Sequence, residues 1–302
     1  MSHDHAGPSS STARLGIALG ITSLILVAEI VGAVVTDSLS LLVDAGHMLT
    51  DVGGLTAALV AAWLIRRPAT SSRTWGYRRA EVLAALGQAT VLLAVGIYAF
   101  VEGIQRLFAP PSVPSGSLLV FGLIGLVGNV VSIAVLSASR DHNLNLRAAF
   151  LEVVNDALGS VAVIVGALVI SATGWLQADA VAGMVISVLI VPRTIALLRE
   201  TTGVLLESTP KGLDLDAVRT HMLELPHVRS IHDLHASQIA TGLPIISAHV
   251  VIEQGCFEDG HAPRILDDLQ NCVLEHFAVQ IEHSTFQLEP ETHQQHEHVE
   301  HV

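Results

Sequence analysis

Two stretches of the sequence place pairs of potential metal ligands inside long apolar runs. In SLSLLVDAGHMLTDVGG, His47 and Asp51 are four residues apart, and in LEVVNDALGSVAVIVGALVI the same spacing separates Glu152 from Asp156. Residues four apart lie on one face of an α-helix. An ionisable side chain within an apolar span is costly and usually marks an ion or substrate path. Two helices with two such groups each can form the four-ligand pocket of a divalent metal ion, so we expect a metal site here.

Neighbouring polar residues and the protonation of the ligands bear on the same site. Asp44 and Asn155 flank the two pairs, and we expect them to orient the ligands. Metal binding requires a neutral histidine and ionised carboxylates, so metal ions and protons compete for these groups. The alternative is that the pairs are polar contacts between packed helices, which is the role that we assign to Glu29 in the first apolar run.

The composition indicates an integral membrane protein. Of 302 residues, 51% are hydrophobic and 14% are charged, and the mean hydropathy is +0.57. The formal net charge is −13, and no basic stripe suggests a nucleic-acid partner. The two cysteines, Cys256 and Cys272, indicate no disulfide framework and suit a reducing compartment.

Six apolar segments are each close to the length that a bilayer requires. The expected membrane spans are 15–35, 39–65, 80–104, 117–137, 148–171 and 178–198. The loop RRPATSSRTWGYRR between the second and third spans carries five arginines, and further basic residues follow the fourth and sixth spans. Positive charge is enriched in cytoplasmic loops, so we expect both termini in the cytoplasm.

The sequence predicts four regions. Residues 1–14 form a disordered, histidine-containing cytoplasmic head, residues 15–203 an all-α domain of six transmembrane helices, residues 204–290 a small cytoplasmic α+β domain, and residues 291–302 a disordered histidine-rich tail. In the third region, apolar periodicity predicts the order helix, strand, strand, helix, strand, with a turn at ATGLP between the first two strands.

The predicted cytoplasmic domain is unusually rich in histidine. Strands and loops of this region carry His232, His249, His261 and His283, and imidazole is a common zinc ligand. We therefore expect a regulatory metal site from these four residues. The alternative is that some of them are ordinary surface histidines.

Six motifs, in this order, cover nearly the whole chain. They are SLLVDAGHMLTD, TWGYRRAEVLAA, NLRAAFLEVVNDALGSV, HDLHAS, LPIISAHVVI and IEHSTFQLE. With these motifs the sequence resembles the cation diffusion facilitator family, and most of all its bacterial branch of zinc, cobalt and cadmium efflux proteins. The resemblance implies a homodimeric antiporter that exchanges metal ions for protons in a bacterial inner membrane. It also implies a metallochaperone-like, ferredoxin-like cytoplasmic domain that dimerises on binding metal.

The resemblance assigns transport to His47, Asp51, Glu152 and Asp156, with one departure. The zinc branch usually has histidine where this chain has Glu152, so the ligand set here is one nitrogen and three carboxylates. Oxygen-rich sites tolerate harder ions such as Mn²⁺. Zn²⁺ also binds carboxylates well. We expect Zn²⁺ as first substrate and as regulatory ligand, with Cd²⁺ and Co²⁺ as further substrates, and a preference for Mn²⁺, Fe²⁺ or Co²⁺ as the alternative.

Three other function classes are less well supported by the sequence. An ATP-driven pump would need a phosphate-binding glycine loop, which the sequence lacks. An intramembrane metalloenzyme would favour an H-E-x-x-H helix or three ligands with an open water position. The sequence contains no such motif. We expect no catalytic residues and no prosthetic group. A membrane metal sensor would need only the histidines of the cytoplasmic domain, so it would not explain the paired charges in the second and fifth spans.

Overall fold

The computed structural model describes residues 8–137 and 144–293. These residues form nine helices and three strands, and the chain divides into two compact units. The first unit comprises residues 1–60 and 84–198, and the second comprises residues 61–83 and 199–302. Parts of the head, of the loop after the fourth span and of the histidine-rich tail lie outside the described residues.

The long helices follow the predicted spans closely. They are α1 (Pro8–Thr36), α2 (Leu39–Ile65), α3 (Ala80–Phe108), α4 (Ser115–Ser137), α5 (Leu144–Thr173) and α6 (Gln177–Leu205). The first of them begins at Pro8, seven residues before the expected span. Proline at the first helical position suits this start, because its missing N–H would have no partner there.

Five helical segments are long and apolar enough to cross a membrane. They are Leu19–Thr36, Ala80–Phe108, Ser115–Ser137, Val153–Thr173 and Gln177–Leu205. Large apolar side chains on them are exposed, as expected for surfaces that face lipid: Leu24 is 74% exposed, Val34 79% and Phe108 86%. The remaining long helix, α2, is continuous over 27 residues. That α2 crosses the membrane as a sixth span stays a prediction.

The start of α2 is held by a residue from α6. The buried Asp179 carboxylate accepts hydrogen bonds from the Leu39 N–H at 2.6 Å, the Ser38 hydroxyl at 2.6 Å and the Ser40 hydroxyl at 2.5 Å. Helix N-termini leave backbone N–H groups without intrahelical partners, and an acidic side chain both accepts their hydrogen bonds and complements the helix dipole. The position of α2, which carries two predicted ligands, is therefore fixed by a side chain 140 residues away.

The C-terminal part of the second unit is a three-stranded sheet with helices. Its elements are α7 (Leu215–Leu223), β1 (Val228–Ala240), β2 (Leu243–Ile252), α8 (Gly255–Glu258), α9 (Ala262–Glu275) and β3 (His283–Glu289). The strand order is β1-β2-β3, with β1 and β2 antiparallel and β2 and β3 parallel. The predicted order of two helices and three strands is confirmed, with one additional short helix. Apolar side chains of both longer helices and all three strands form one core.

The second unit also contains the arginine-rich loop that follows α2. Trp75 of this loop packs edge-to-face against His283 at the start of β3, with ring centroids 4.8 Å apart. Arg79 pairs with Glu207 at 2.8 Å. The sequence indicates that most of the loop arginines set the membrane topology, with pairing to lipid phosphates or to acidic residues of the C-terminal domain as the alternative, and the Arg79–Glu207 contact is a pair of the latter kind.

Candidate metal sites

Three of the four predicted transport ligands meet in the first unit. The ligand atoms of His47, Asp51 and Asp156 all lie within 4.8 Å of one another. Nε2 of His47 is 3.5 Å from Asp156 Oδ1 and 3.7 Å from Asp51 Oδ2. His47 is 7% exposed and Asp156 2%. The fourth predicted ligand, Glu152, lies one turn before Asp156 on α5, and its side chain is outside the described residues.

The helical spacing explains why these groups converge. His47 and Asp51 are one turn apart on α2, so both project from one face of that helix. Asp156 projects from α5 towards the same point. Burial of a histidine and two carboxylates is costly unless each has a charged or hydrogen-bonding partner. A divalent cation bound among them would provide that partner for all three, and the donor set of one nitrogen and several oxygens suits Zn²⁺ or another divalent transition metal.

A cavity of about 240 Å³ adjoins the cluster. His47, Asp51, Asp44 and Asn155 all line it, together with residues of α3 and α6. The two residues that we expected to orient the ligands are therefore on the cavity wall. Ionisable groups within an apolar span usually mark an ion path, so this cavity is the candidate route to the cluster.

Two further polar residues of the cavity wall were not predicted. Gln88 of α3 lies close to α2 at Gly54, where a β-carbon would overlap the glutamine side chain. Arg193 of α6 also lines the cavity. The sequence indicates their position only weakly. A single glutamine or arginine in an apolar helix has no second polar residue three or four positions away that would mark a shared polar face.

A layer of buried polar groups lies behind Asp44. Glu29 of α1 is 1% exposed and Asp44 of α2 is 2% exposed, and their carboxyl groups are neighbours. In the same region Asn129 of α4 donates to the Ser160 hydroxyl of α5 at 3.3 Å. Glu29, which we interpret as a packing residue, is therefore also a neighbour of a residue of the cavity wall.

In the second unit the sheet brings two of the four predicted histidines together. His232 of β1 and His249 of β2 are opposite each other in the antiparallel pair, with ring centroids 5.1 Å apart. Glu289 at the end of β3 lies 2.9 Å from His249 Nδ1 and 3.4 Å from His232 Nε2. It is 1% exposed. These three residues form a compact group of potential metal ligands.

The other two predicted histidines lie beside different residues. His261 precedes α9, contacts Asp259 at 2.7 Å, and has its ring centroid 5.8 Å from that of His227. His283 packs on Trp75, as described above. The expected set of four histidines is therefore not grouped as one cluster in this structure, and Glu289, which sequence reasoning missed, joins the first two instead. The alternation in β3 gave no signal for Glu289, because Phe286 and Leu288 are the apolar residues of this strand and a period of two places Glu289 on the opposite face, with Gln287.

A second group in this unit surrounds Cys256. His227 Nδ1 is 2.9 Å from Glu253, and Arg229 pairs with the same carboxylate at 2.7 Å. The hydrogen bond from His227 and, to a lesser extent, the charge of Arg229 lower the pKa of Glu253. Burial and the neighbouring Asp259 raise the pKa of the Cys256 thiol. Because Arg229 already neutralises Glu253, this group is less suited to a cation than the cluster around Glu289.

Long apolar helices around a cluster of histidine and carboxylate side chains, followed by a small α+β unit with a second such cluster, are typical of a membrane protein that binds metal ions. The sequence matches the family model of the cation efflux transmembrane domain over residues 15–206 and that of the cation efflux protein cytoplasmic domain over residues 210–291. The chain therefore belongs to the cation efflux family, in agreement with the resemblance to the cation diffusion facilitators. Members of this family are secondary transporters rather than enzymes.

Individual relatives resemble the chain over nearly its full length. The metal cation efflux system protein CzcD of Cupriavidus metallidurans is 40% identical over 288 residues, which cover 95% of this chain and 89% of that protein. The zinc transporter ZitB of Escherichia coli is 36% identical, over 96% of this chain and 93% of that protein. The cadmium, cobalt and zinc/H⁺-K⁺ antiporter of Bacillus subtilis is 33% identical, over 97% and 93%.

Proposed function

We propose that the protein exports Zn²⁺ from the cytoplasm in exchange for protons and that Cd²⁺ and Co²⁺ are further substrates. The observation that carries this proposal is the cluster of His47, Asp51 and Asp156, buried beside a cavity of about 240 Å³ within the long apolar helices. Glu152, one turn before Asp156, is the fourth ligand.

Proton exchange follows from the chemistry of this ligand set. The imidazole of His47 binds metal only when it is neutral, and the carboxylates bind only when they are ionised. Protons arriving from one side therefore displace the metal ion, and metal arriving from the other side displaces the protons. The names of the relatives, a zinc transporter and an antiporter for cadmium, cobalt and zinc, support both the class of substrate and the exchange.

The proposed arrangement in the membrane follows the distribution of charge. Six helices, α1 to α6, span a bacterial inner membrane within residues 15–203, with both termini in the cytoplasm. The arginine-rich loop after α2 is then on the cytoplasmic side, in agreement with the preference of positive loops for that side. Residues 204–290 form the cytoplasmic domain, through which two copies of the chain associate as a homodimer.

We further propose that the cytoplasmic domain binds regulatory Zn²⁺ at His232, His249 and Glu289. Two imidazoles and a carboxylate are zinc donors, and the antiparallel pairing of β1 and β2 places both rings against the glutamate. The position of Glu289 supports the proposal, because its carboxylate, 1% exposed, lies within 3.4 Å of a ring nitrogen of each histidine. His261 and His283 are not needed for this group.

One feature of the transport site favours a second substrate class. Glu152 replaces a nitrogen donor by a carboxylate, and oxygen-rich sites favour Mn²⁺ and Fe²⁺ more than histidine-rich ones do. A preference for Mn²⁺, Fe²⁺ or Co²⁺ is therefore the alternative to zinc export.

The test is metal uptake into proteoliposomes across an imposed pH gradient, with zinc, manganese, cobalt and cadmium compared. We expect wild-type protein to take up zinc, Asp51→Ala to be inactive, and Glu152→His to prefer zinc more strongly than wild type does. Glu81→Gln, which removes a carboxylate outside the cluster, is the control and should transport normally. Full activity of Asp51→Ala would show that the metal binds elsewhere, and an unchanged preference in Glu152→His would overturn the argument from ligand hardness.

A further inference from the structure

A third group of potential ligands lies between the two longer helices of the C-terminal domain. Cys272 of α9 and His276, which caps the same helix, are four residues apart and share a face. His221 of α7 meets them from the neighbouring helix. Nε2 of His221 is 3.0 Å from Nδ1 of His276, and the ligand atoms of all three residues lie within 4.8 Å of one another. We propose that His221, Cys272 and His276 form a separate metal site for a thiophilic divalent cation, namely Zn²⁺, Cd²⁺ or Co²⁺.

The spacing of the two imidazoles suits a tetrahedral metal ion. With zinc–nitrogen bonds of about 2.05 Å, two nitrogens on one tetrahedron are roughly 3.3 Å apart. The observed separation of 3.0 Å between His221 and His276 requires only a small displacement to reach that value. Without metal, the two nitrogens share one proton in an N–H···N hydrogen bond. A cation between the rings would replace that proton.

A carboxylate lies near the second ring nitrogen of His221. Nδ1 of His221 is 3.6 Å from Glu224 Oε2, on the turn that follows α7, so a small side-chain movement would bring the two atoms to hydrogen-bond distance. The charge of this carboxylate favours the tautomer with the proton on Nδ1, which would leave the lone pair of Nε2 for a metal ion. Carboxylate–histidine–zinc arrangements of this kind orient the ring and raise its basicity.

The thiol determines which ions the site would take. Thiolate and imidazole are donors for zinc and softer ions, whereas Mg²⁺ and Mn²⁺ prefer oxygen. Cys272 is buried beneath the two histidines, while the His221 side chain is 42% exposed and His276 is exposed. An ion can therefore enter from the solvent side and keep a water molecule as fourth ligand. The bound ion would link α7 to α9, the two longer helices of the domain core, and so stabilise their packing.

Cobalt spectroscopy of the full-length protein in detergent tests the site, because a thiolate bound to Co²⁺ gives a near-ultraviolet charge-transfer band. The chain contains two cysteines, so one substitution at each assigns the band. We expect wild type and Cys256→Ser to show it, and Cys272→Ser and His276→Gln to lose it. Glu224→Gln should weaken Co²⁺ binding about tenfold, the lower end of the effect of removing a carboxylate that orients a histidine ligand. Added Zn²⁺ should abolish the band in wild type.

The outcomes separate this site from its neighbours and from the transport function. The measurement is made at equilibrium without a proton gradient, so it does not depend on zinc export. A band that persists in Cys272→Ser and disappears in Cys256→Ser would place the metal at His227, Glu253 and Cys256 and overturn the proposal, as would the absence of any thiolate band in wild type. If Cys272→Ser unfolds, as judged by circular dichroism, His276→Gln decides, because that side chain is exposed.

Discussion

Asp44 of α2 packs directly on the backbone of α5 at Gly159. Its Oδ1 atom lies 2.5 Å from the point that a β-carbon on Gly159 would occupy. The absence of a side chain at residue 159 therefore allows a carboxylate of one ligand-bearing helix to contact the other. Both helices carry the predicted transport ligands, so this contact sets how closely the two halves of the metal site approach.

Gly159→Ala should abolish or strongly reduce zinc transport. The added methyl group would displace Asp44 and with it the cavity wall beside His47. Gly166→Ala, on the same helix, is the matched control: its nearest atom would be 3.6 Å away, an ordinary contact. Because alanine is the better helix former by about 0.5–1 kcal/mol, the control should be at least as stable as wild type. Proteoliposome uptake of zinc measures the difference, and equal activity of the two variants would contradict the role of this contact.

Loss of the Asp179 carboxylate should loosen the start of α2. In Asp179→Ala the buried Leu39 N–H and the two serine hydroxyls lose their acceptor, and we expect a loss of about 1–3 kcal/mol of stability. Asp179→Asn keeps one acceptor oxygen and should lose less. Thermal unfolding in detergent gives the comparison. A melting temperature of Asp179→Ala equal to that of wild type would show that the serine-rich turn holds the helix without help.

Glu289→Gln should weaken zinc binding by the cytoplasmic domain at least about tenfold, because an amide oxygen is a poorer donor than a carboxylate and leaves the two histidines without their shared partner. Titration of Zn²⁺ against a competing indicator measures the loss, in a background of Asp51→Ala and Cys272→Ser that disables the transport site and the site proposed at Cys272. Glu258→Gln removes an exposed carboxylate of the same domain and should bind zinc as its parent does. Equal affinity in both variants would exclude Glu289 as a ligand.

The His227–Glu253 contact should make part of the stability depend on pH. The hydrogen bond from His227, with the charge of Arg229, lowers the pKa of Glu253 in the folded chain. A carboxylate with a lowered folded-state pKa stabilises the fold above its unfolded pKa, near 4.3, and that contribution disappears as the pH falls through the folded value. Wild type should therefore be more stable than Glu253→Gln at neutral pH, with the difference vanishing in acid.

Chemical unfolding at a series of pH values measures this difference. Glu258→Gln removes one charge from the adjacent short helix and serves as the control for net charge. If Glu258→Gln shows the same pH-dependent difference from wild type as Glu253→Gln does, the effect comes from overall charge rather than from the contact with His227.

The sequence was sufficient where the relevant geometry is local. The i, i+4 spacing of His47 and Asp51 predicts a shared helical face, and the structure brings both together with Asp156. Alternating apolar residues likewise predicted β1 and β2. His232 and His249 are opposite each other because the connection between these strands is short, so the two strands pair as neighbours.

Contacts between distant elements could not be predicted in the same way. Asp179 caps a helix that begins 140 residues earlier, and nothing in the residues around it specifies that partner. Glu289 joins two histidines because β3 pairs in parallel with β2 after a helical crossover, and the register of such a pair depends on packing of the whole domain core. The prediction that His261 and His283 join the other histidines was based on residue type alone. Residue type does not indicate how far apart two side chains lie in the folded chain.

Because Asp179 holds the start of α2, this end of the helix is a fixed point about which the rest of the helix could tilt. Sliding α2 along its axis would break several short hydrogen bonds at once, whereas tilting it about this end would keep them. At 1.5 Å of rise per residue, His47 lies roughly 12 Å and Asp51 roughly 18 Å along the helix from Leu39. A tilt would therefore move Asp51 about one and a half times as far as His47. For a metal ion bound as proposed, the ligand farthest from this end of the helix would be the first to leave, so a small rotation of one helix would open the site in a defined order.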